Sequence, residues 1–146
     1  MKLTFHEIGP QGQLPEQLDA DALLQSVTEA TVSMYQQKGF SPPWTAYLAA
    51  CDTRPVGTCA FKQPPVDGRV EIAYFTFRGH EGQGVALAMA EQLVHIARCS
   101  NQDLTLVART LPEASASTRI LEKLDFRLTE PVEDPEDGIV WEWQLG

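Results

Sequence analysis

The sequence predicts an α/β (α+β) fold, in which helices cover both faces of a mixed, mostly antiparallel sheet. Three strand-like segments follow one another between residues 45 and 77, separated by short turns, which is typical of an antiparallel meander. A long helical segment then connects the third strand to a continuous apolar run, and such a unit requires parallel strands joined by a right-handed crossover. The predicted order of elements is βαβββαβαββ, in one domain that spans residues 1–146.

The chain begins with a short strand and an amphipathic helix. Residues 2–8, "KLTFHEI", form the first predicted strand, and residues 19–38 form the first predicted helix. Apolar side chains recur in this helix at intervals of three and four residues, at Leu23, Val27, Ala30 and Met34. We expect Asp19 or Asp21 to cap the start of the helix and Gly39 to end it.

The meander consists of "TAYLAAC" (45–51), "PVGTCAFK" (55–62) and "VEIAYFTF" (70–77), with turn residues between them. Side chains alternate between the two faces of a strand. One face of the third strand therefore carries Glu71, Ala73, Phe75 and Phe77. The other face carries Val70, Ile72, Tyr74 and Thr76. Glu71 is thus expected to be a carboxylate on a central strand among apolar neighbours.

The second half alternates helices and strands. The long helix after the turn has an apolar stripe formed by Ala86, Ala90, Leu93 and Ala97. "LTLVAR" (104–109) is a predicted central strand, and "EASASTRILEKL" (113–124) is a predicted helix. "FRLTE" and "GIVWEWQL" form the last two strands, on either side of the acidic stretch "EPVEDPEDG". This stretch is expected to be a solvated loop, and the alternative is an acidic rim that attracts an amine.

The composition excludes several classes of function. Eleven basic and twenty acidic residues give a net charge of −9, which argues against a nucleic-acid-binding surface and is compatible with a cationic substrate. No apolar run is long enough to cross a bilayer, and the N-terminal segment lacks the apolar core of a signal peptide. We therefore expect a cytoplasmic protein that binds neither nucleic acid nor membrane.

The cysteines and histidines lack the spacing of a metal site. The three cysteines, which include no CxxC pair, are Cys51, Cys59 and Cys99. The three histidines, which also show no ligand spacing, are His6, His80 and His95. We therefore expect three reduced thiols and no metal.

The turn before the long helix, "RGHEGQGVALA" (78–88), has the composition of an anion-binding loop. A P-loop requires Lys and Ser or Thr directly after its last glycine, and a dinucleotide fingerprint requires a glycine where Leu87 stands, so neither motif fits. Gly82, Gly84 and the helix start still allow backbone N–H groups to converge on a phosphate. The alternative is an ordinary strand-to-helix turn, and Glu81 is an unfavourable neighbour for a bound anion.

The same stretch resembles the acetyl-CoA signature of the GNAT N-acetyltransferase superfamily, which is Gln or Arg, two residues, Gly, one residue, then Gly or Ala. Glu81, Gly84 and Ala86 occupy these positions here. "VGTCAFKQPPVDGRVEIAYFTF" is similar to the central hairpin and cofactor strand of that family, and "TLPEASASTRILEKLDF" is similar to its later helix. The resemblance covers roughly residues 40–146, and the element order of the family matches the predicted one.

The resemblance implies that acetyl-CoA is the cosubstrate and that acetyl passes directly to a primary amine of a small molecule or peptide. The cofactor-binding residues it implies are Phe75, Thr76, Phe77, Gly82, Gln83, Gly84, Val85, Ala86 and Ser117. The strand residues would offer backbone groups to the pantetheine arm, and the glycine turn would surround the pyrophosphate with backbone N–H groups. The expected assembly is a monomer or a homodimer. The alternative is a non-catalytic module of the same fold that binds acyl-CoA.

Direct transfer to an ammonium group requires a base. Glu71 is the first candidate, directly or through water, because a carboxylate among apolar neighbours binds a proton more readily. The alternative is an ion pair between this carboxylate and a nearby cation, namely Lys62, Arg69 or Arg109. Tyr74 is the second candidate, as a hydrogen-bond donor to the substrate or the thiolate. Leu121 occupies the position of the Tyr that serves as general acid in many relatives, and Leu cannot donate a proton.

Overall fold

The computed structural model describes residues 2–146, and its elements follow the predicted order βαβββαβαββ. The helices are α1 (Ala22–Lys38), α2 (Val85–Ser100) and α3 (Ala116–Lys123). The strands are β1 (Thr4–Glu7), β2 (Ala46–Cys51), β3 (Arg54–Phe61), β4 (Arg69–Thr76), β5 (Thr105–Thr110), β6 (Arg127–Asp134) and β7 (Gly138–Leu145). No helix in this part of the chain is both long and apolar enough to cross a membrane.

The described strands form one sheet in the order β1-β2-β3-β4-β5-β7-β6. Neighbouring strands are antiparallel, except that β4 and β5 are parallel. α2 connects this parallel pair, as expected for a strand–helix–strand unit. The predicted mixed, mostly antiparallel sheet is confirmed.

Helices cover both faces of the sheet, as the alternation along β2 shows. Ala49 belongs to the larger core cluster, which contains Met89 of α2. Its neighbours Leu48 and Ala50 belong to a second cluster, which contains Leu24 of α1. Successive side chains of a strand point to opposite faces, so α1 and α2 lie on opposite sides of the sheet.

A glycine on β3, Gly57, allows the close approach of a side chain from α2 and of the β4 backbone. A Cβ at Gly57 would lie 2.9 Å from both Sδ and Cε of Met89 and 2.9 Å from the Phe75 carbonyl oxygen. Real Cβ atoms essentially never approach other heavy atoms so closely. The Met89 side chain can move aside, but the Phe75 carbonyl oxygen belongs to the backbone, so a larger residue at this position would strain the pairing of β3 with β4.

The inward face of α1 differs from the prediction. The helix begins after Asp21, whose Oδ1 accepts the Leu24 N–H at 2.8 Å, and it ends at Gly39, as expected. Its buried residues are Leu24, Thr31 and Tyr35, whereas the predicted Leu23 is 40% exposed. The predicted Val27 and Met34 do pack, partly buried, against the cluster beneath α1, so the prediction was wrong only at Leu23 and Ala30, which are exposed. The Thr31 hydroxyl donates to the carbonyl oxygen four residues earlier, which allows this polar side chain to be buried.

The acidic stretch is mostly strand, which corrects the prediction of a loop. β6 continues to Asp134, and only residues 135–137 separate it from β7. Asp134 Oδ1 accepts the N–H groups of Glu136 and Asp137 at 2.9 and 3.2 Å, which stabilises this short turn. Pro131 is compatible with β6 because this strand lies at the edge of the sheet. One side of an edge strand has no neighbouring strand, so the missing backbone N–H of proline removes no hydrogen bond there.

Candidate active site

A gap between β4 and β5 opens in the middle of the sheet. The two strands pair only at residues 69–71 of β4 and 105–107 of β5, although β4 continues to Thr76 and β5 to Thr110. β3 stays paired with β4 as far as Thr76, and β7 stays paired with β5 as far as Thr110. Both strands are therefore supported from outside while they diverge from each other.

Backbone groups of β4 point into this gap. The Phe77 N–H donates to the Val56 carbonyl oxygen at 2.9 Å, on the β3 side of the strand. Successive residues of a strand direct their N–H and C=O groups to opposite sides. The backbone groups of Tyr74 and Thr76 therefore face β5, where no strand pairs with them. A ligand with amide groups can form strand-like hydrogen bonds there.

The glycine turn at the start of α2 offers backbone donors. Gly82 and Gly84 have φ angles of 75° and 83°, in the left-handed region that favours glycine. Gly84 caps α2 without any side-chain hydrogen bond to the first turn, and a Cβ at either glycine would meet no atom within 4 Å. The first N–H groups of an α-helix lack intrahelical partners, and the helix start carries partial positive charge. The turn is therefore suited to bind an anion through its backbone.

Glu81 lies within this turn and stabilises it. Its Oε1 accepts the Gly79 N–H at 2.7 Å. Hydrogen bonds from its own N–H and from that of Gly79 lower the pKa of this exposed carboxyl group, and the charges of Arg78 and His80 lower it further. The side chain thus fixes the shape of the turn while adding a negative charge beside it.

A cleft of about 730 Å³, here called the α2–α3 cleft, runs from the end of β4 along the glycine turn to α3. Its lining includes Tyr74, Phe75, Thr76, Gly82, Gly84, Val85, Ala86, Ser117, Arg119 and Lys123. Arg119 and Lys123 lie one turn apart on α3 and are exposed. Neither forms an ion pair within residues 2–146. Two such cations favour an anionic ligand in this cleft.

A second cavity of about 370 Å³, here called the charged pocket, lies between the diverging strands. Its acidic lining residues are Glu71, Glu113, Asp134 and Asp137, and its basic ones are Lys62 and Arg109. Lys62 Nζ lies 3.0 Å from Glu71 Oε2, and Arg109 Nε lies 4.0 Å from Glu71 Oε1. The ion pair that the sequence left open as an alternative is therefore present. The carboxylate still lines the pocket, where negative charge is in excess.

Arg109 connects carboxylates on three strands around the charged pocket. Its Nη1 donates to Asp134 Oδ2 at 3.1 Å, and its Nη2 donates to Glu142 Oε1 at 3.4 Å. Its Nε–H is buried and has no hydrogen-bond partner within residues 2–146. A buried N–H without a partner costs about 1–3 kcal/mol. This donor is therefore available to a ligand oxygen or, after a small movement, to Glu71.

Tyr74 lies where three cavities meet. The third, here called the apolar pocket, has a volume of about 270 Å³ and lies between α1 and the sheet. Tyr74 lines this pocket, the charged pocket and the α2–α3 cleft. Burial raises the pKa of Tyr74 to about 12, so its phenol is protonated at neutral pH. The hydroxyls of Tyr35 and Tyr47 donate to backbone oxygens, whereas that of Tyr74 has no partner within residues 2–146.

Most of the residues expected to bind the cofactor surround one cleft. Those that line the α2–α3 cleft are Phe75, Thr76, Gly82, Gly84, Val85, Ala86 and Ser117. Phe77 does not line it, because its side chain packs in the core beneath α1 and its N–H donates to Val56 on β3. The Phe75 backbone also faces β3, so of the three expected strand residues only Thr76 directs its backbone groups into the gap. Gln83 lines a separate pocket beside Asp52. Of the two expected catalytic residues, Tyr74 lies at the junction and Glu71 lies in the charged pocket.

Other lining residues were not singled out from the sequence. Lys123 belongs to the α2–α3 cleft, and Ser115 and Thr110 belong to the charged pocket. The spacing of Arg119 and Lys123 on α3 was the available signal for a cationic wall. Leu121, at the position where many relatives have Tyr, is fully buried in the core and lines neither cavity.

The parallel strands β4 and β5 diverge beside a glycine turn and the N-terminus of α2. This arrangement is suited to a phosphate-bearing ligand that lies in the gap of the sheet. Residues 5–127 match the family model of the acetyltransferase (GNAT) domain. This match covers most of the chain, and the protein belongs to the GNAT acetyltransferase family. The comparison with curated proteins gives no significant match.

Several solved structures share the fold. RimL, a ribosomal L7/L12 alpha-N-protein acetyltransferase in complex with coenzyme A, has a TM-score of 0.64 and 16% identity, covering 87% of this chain and 73% of its own. YncA from Salmonella typhimurium, solved with its cofactor acetyl-CoA, has a TM-score of 0.64 and 19% identity, covering 81% and 72%. An N-acetyltransferase from Staphylococcus aureus Mu50 has a TM-score of 0.69 and 12% identity, covering 99% and 98%. At these identities the likeness establishes the fold.

Proposed function

We propose that the protein is an acetyl-CoA-dependent N-acetyltransferase that transfers acetyl directly to a primary amine of a small molecule or peptide. The observation that carries this proposal is that the α2–α3 cleft and the charged pocket meet at Tyr74, in the gap between β4 and β5. The cleft has an anion-binding turn and two cations, and the pocket has an excess of carboxylates. A polyanionic donor and a cationic acceptor would therefore meet at this gap.

The donor would lie along the α2–α3 cleft. Backbone N–H groups of residues 82–86 would bind its pyrophosphate, and Arg119 and Lys123 would attract the remaining phosphate charge. The amide groups of the pantetheine arm would bond to the free backbone groups of Tyr74 and Thr76. Ser117 lines both the cleft and the charged pocket, which supports a contact near the thioester end.

The reaction forms a C–N bond and breaks the C–S bond of the thioester. The acceptor arrives as an ammonium ion and loses one proton before its nitrogen can attack the carbonyl carbon. We assign this proton to Glu71, directly or through a water molecule, because its carboxylate lines the pocket that adjoins the gap. The second proton leaves the nitrogen after the attack and accompanies the departing thiolate.

Tyr74 would act as a hydrogen-bond donor in this step. A phenol with a pKa of about 12 does not transfer its proton readily to a thiolate, whose conjugate acid has a pKa of about 8.5. It can donate a hydrogen bond to the carbonyl oxygen or to the sulfur as negative charge develops there. This role does not require a general acid at position 121, where Leu121 stands, because a thiolate is a good leaving group without one.

Two measurements test the proposal. Acetyl-CoA or CoA at saturating concentration is expected to raise the Tm, while ATP and NAD are not. Thiol release with a panel of primary amines then distinguishes an enzyme from a non-catalytic module. Stabilisation by acetyl-CoA without thiol release on any amine would favour the module, and no stabilisation at all would refute both.

The base assignment has its own test, with a matched control in the same pocket. Glu71→Gln is expected to lower kcat while the Kd for CoA stays unchanged, because the side chain lies in the charged pocket and not in the cleft. Glu113→Gln removes another carboxylate from the lining and is expected to leave kcat much closer to that of the wild type. Equal rates for wild type and Glu71→Gln across pH would remove Glu71 as the base.

A further inference from the structure

The apolar pocket owes its volume to small residues in its floor. Ala46, Ala60 and Ala73 are direct register neighbours on β2, β3 and β4, and all three line the pocket. Directly opposite residues on adjacent strands share a face, about 5 Å apart, so the three methyl groups form a continuous floor. Val27 and Met34 of α1 form the opposite wall. Larger side chains at these three positions would occupy the space themselves and leave no pocket.

The walls of this pocket offer almost no free polar group. Two of its residues carry hydroxyls that are already bonded, because Thr31 donates to Val27 O at 2.9 Å and Thr58 donates to Tyr47 O at 3.2 Å. Tyr74 also lines the pocket, but its side chain alternates with those of Ala73 and Phe75 and packs against the larger core cluster, so its hydroxyl belongs to the opposite face of the sheet. A polar group bound here would lose its hydrogen bonds to water, so the pocket favours an apolar occupant.

The pocket is continuous with the candidate site. Ala73 and Tyr74 line both the apolar pocket and the charged pocket, and Phe75 lines both the apolar pocket and the α2–α3 cleft. The Phe75 side chain is 56% exposed, which places a large apolar surface at the rim. At about 270 Å³ the pocket is smaller than the roughly 300–1,000 Å³ of a whole-ligand site, so its size fits one substituent of a ligand held next door.

We propose that the acceptor carries an apolar alkyl or aryl group close to its primary amine, and that this group binds in the apolar pocket. This inference rests on the proposed function. The ammonium would lie in the charged pocket, where carboxylates are in excess, and the apolar group would extend past Ala73 towards α1. Arylalkylamines and peptides with an apolar first residue both present this chemistry.

The experiment compares matched pairs of amines at saturating acetyl-CoA. One arm uses 2-phenylethylamine against ethanolamine, and the other uses short peptides that begin with Leu against the same peptides that begin with Ser. We expect kcat/KM for the apolar member to be about tenfold higher or more in at least one arm, mainly through KM. The arm with the larger kcat/KM identifies the small amine or the peptide as the source.

Two variants of α1 distinguish the effect of filling the pocket from the effect of placing a large side chain anywhere on the helix. Ala30→Phe places a ring on the wall of the pocket, and Glu29→Phe places the same ring on the neighbouring exposed position, which does not line it. Ala30→Phe is expected to reduce the preference for apolar amines about tenfold, with an unchanged Kd for CoA. Glu29→Phe is expected to keep the preference. Met34→Ala, which enlarges the pocket, is expected to shift the preference towards larger substituents.

The possible outcomes distinguish this inference from the proposed function. Equal kcat/KM within both pairs, or an equal effect of Ala30→Phe and Glu29→Phe, would overturn the inference and leave the proposed function intact. Binding of acetyl-CoA without turnover of any amine would overturn the proposed function and the inference with it.

Discussion

Tyr74→Phe tests the junction of the three cavities. The substitution removes one hydroxyl and keeps the ring, which packs against the larger core cluster. The hydroxyl has no hydrogen-bond partner within residues 2–146, so its removal leaves no protein group unsatisfied. We therefore expect the free energy of unfolding at neutral pH to change by less than about 0.5 kcal/mol.

The expected loss of activity follows from the hydrogen bond that the hydroxyl would donate in the transition state. A hydrogen bond to a charged group contributes about 1.5–3 kcal/mol. Each 1.36 kcal/mol is about tenfold in rate, so kcat should fall about 10- to 150-fold. The Kd for CoA should stay unchanged, because the glycine turn and the β4 backbone are intact in the variant.

The pH dependence provides a second readout for the same variant. Burial raises the pKa of Tyr74 from an ordinary 10 to about 12, so the phenol is protonated at every pH below 10. Ionisation of Tyr74 therefore does not lower the activity below pH 10, and plots of kcat against pH for the wild type and the variant should be parallel there. A group with a raised pKa stabilises the fold fully below pH 10 and loses this contribution as the pH rises through about 12. The wild type should therefore lose more stability than Tyr74→Phe in that window.

Tyr47→Phe is the matched control. The Tyr47 hydroxyl donates to the Pro43 carbonyl oxygen at 2.7 Å, and Tyr47 lines none of the three cavities. This variant should lose about 1 kcal/mol of stability and keep its kcat. Steady-state thiol release and thermal unfolding of both variants give the comparison. A Tyr74→Phe enzyme with the wild-type kcat would refute the proposed role of the hydroxyl, and one that is destabilised as much as Tyr47→Phe would show that the hydroxyl has a structural partner.

Three further predictions concern the cleft and its supports. Replacing Arg119 and Lys123 by Ala should weaken CoA binding, measured by calorimetry, about 5- to 30-fold at low salt and much less at high salt. A loss that does not depend on salt would contradict an electrostatic role. Glu81→Gln keeps a hydrogen-bond acceptor for the Gly79 N–H and removes a negative charge, so it should tighten CoA binding about two- to threefold. Glu81→Ala also removes the acceptor and should weaken CoA binding. Equal effects of the two variants would contradict this account of Glu81. Thr110→Val removes the acceptor of the buried Trp143 Nε1–H, a bond of 3.0 Å, and should lower the Tm by about 3–10 °C; an unchanged Tm would show that the indole N–H finds another partner.

The order of elements was predictable because local signals agree with the fold. The meander was recognisable from turn residues between strand-like runs, and the helix that joins β4 to β5 required the parallel pair. The boundaries differ by a few residues, and β6 was predicted too short because its run of acidic residues suggested a solvated loop. Position at the edge of the sheet makes that composition acceptable, and a single sequence does not state where the edge lies.

The candidate site was most predictable where it lies on one continuous segment, and Ser117 followed from the separate motif on α3. The end of β4, the glycine turn and the start of α2 adjoin each other in the chain, so one motif revealed them together. The charged pocket combines residues from distant parts of the chain, such as Lys62, Arg109 and Asp134, and their proximity depends on the strand order. The apolar pocket depends on the register that aligns Ala46 with Ala60, which periodicity alone does not specify.

A crystal structure of the protein with bound acetyl-CoA tests the central claim most directly. We predict that the pyrophosphate lies on the backbone N–H groups of residues 82–86 and that the pantetheine arm follows the free edge of β4. The thioester should lie in the gap between β4 and β5, within hydrogen-bond distance of the Tyr74 hydroxyl and open to the charged pocket. A thioester outside this gap, or one separated from the charged pocket, would contradict the proposed transfer.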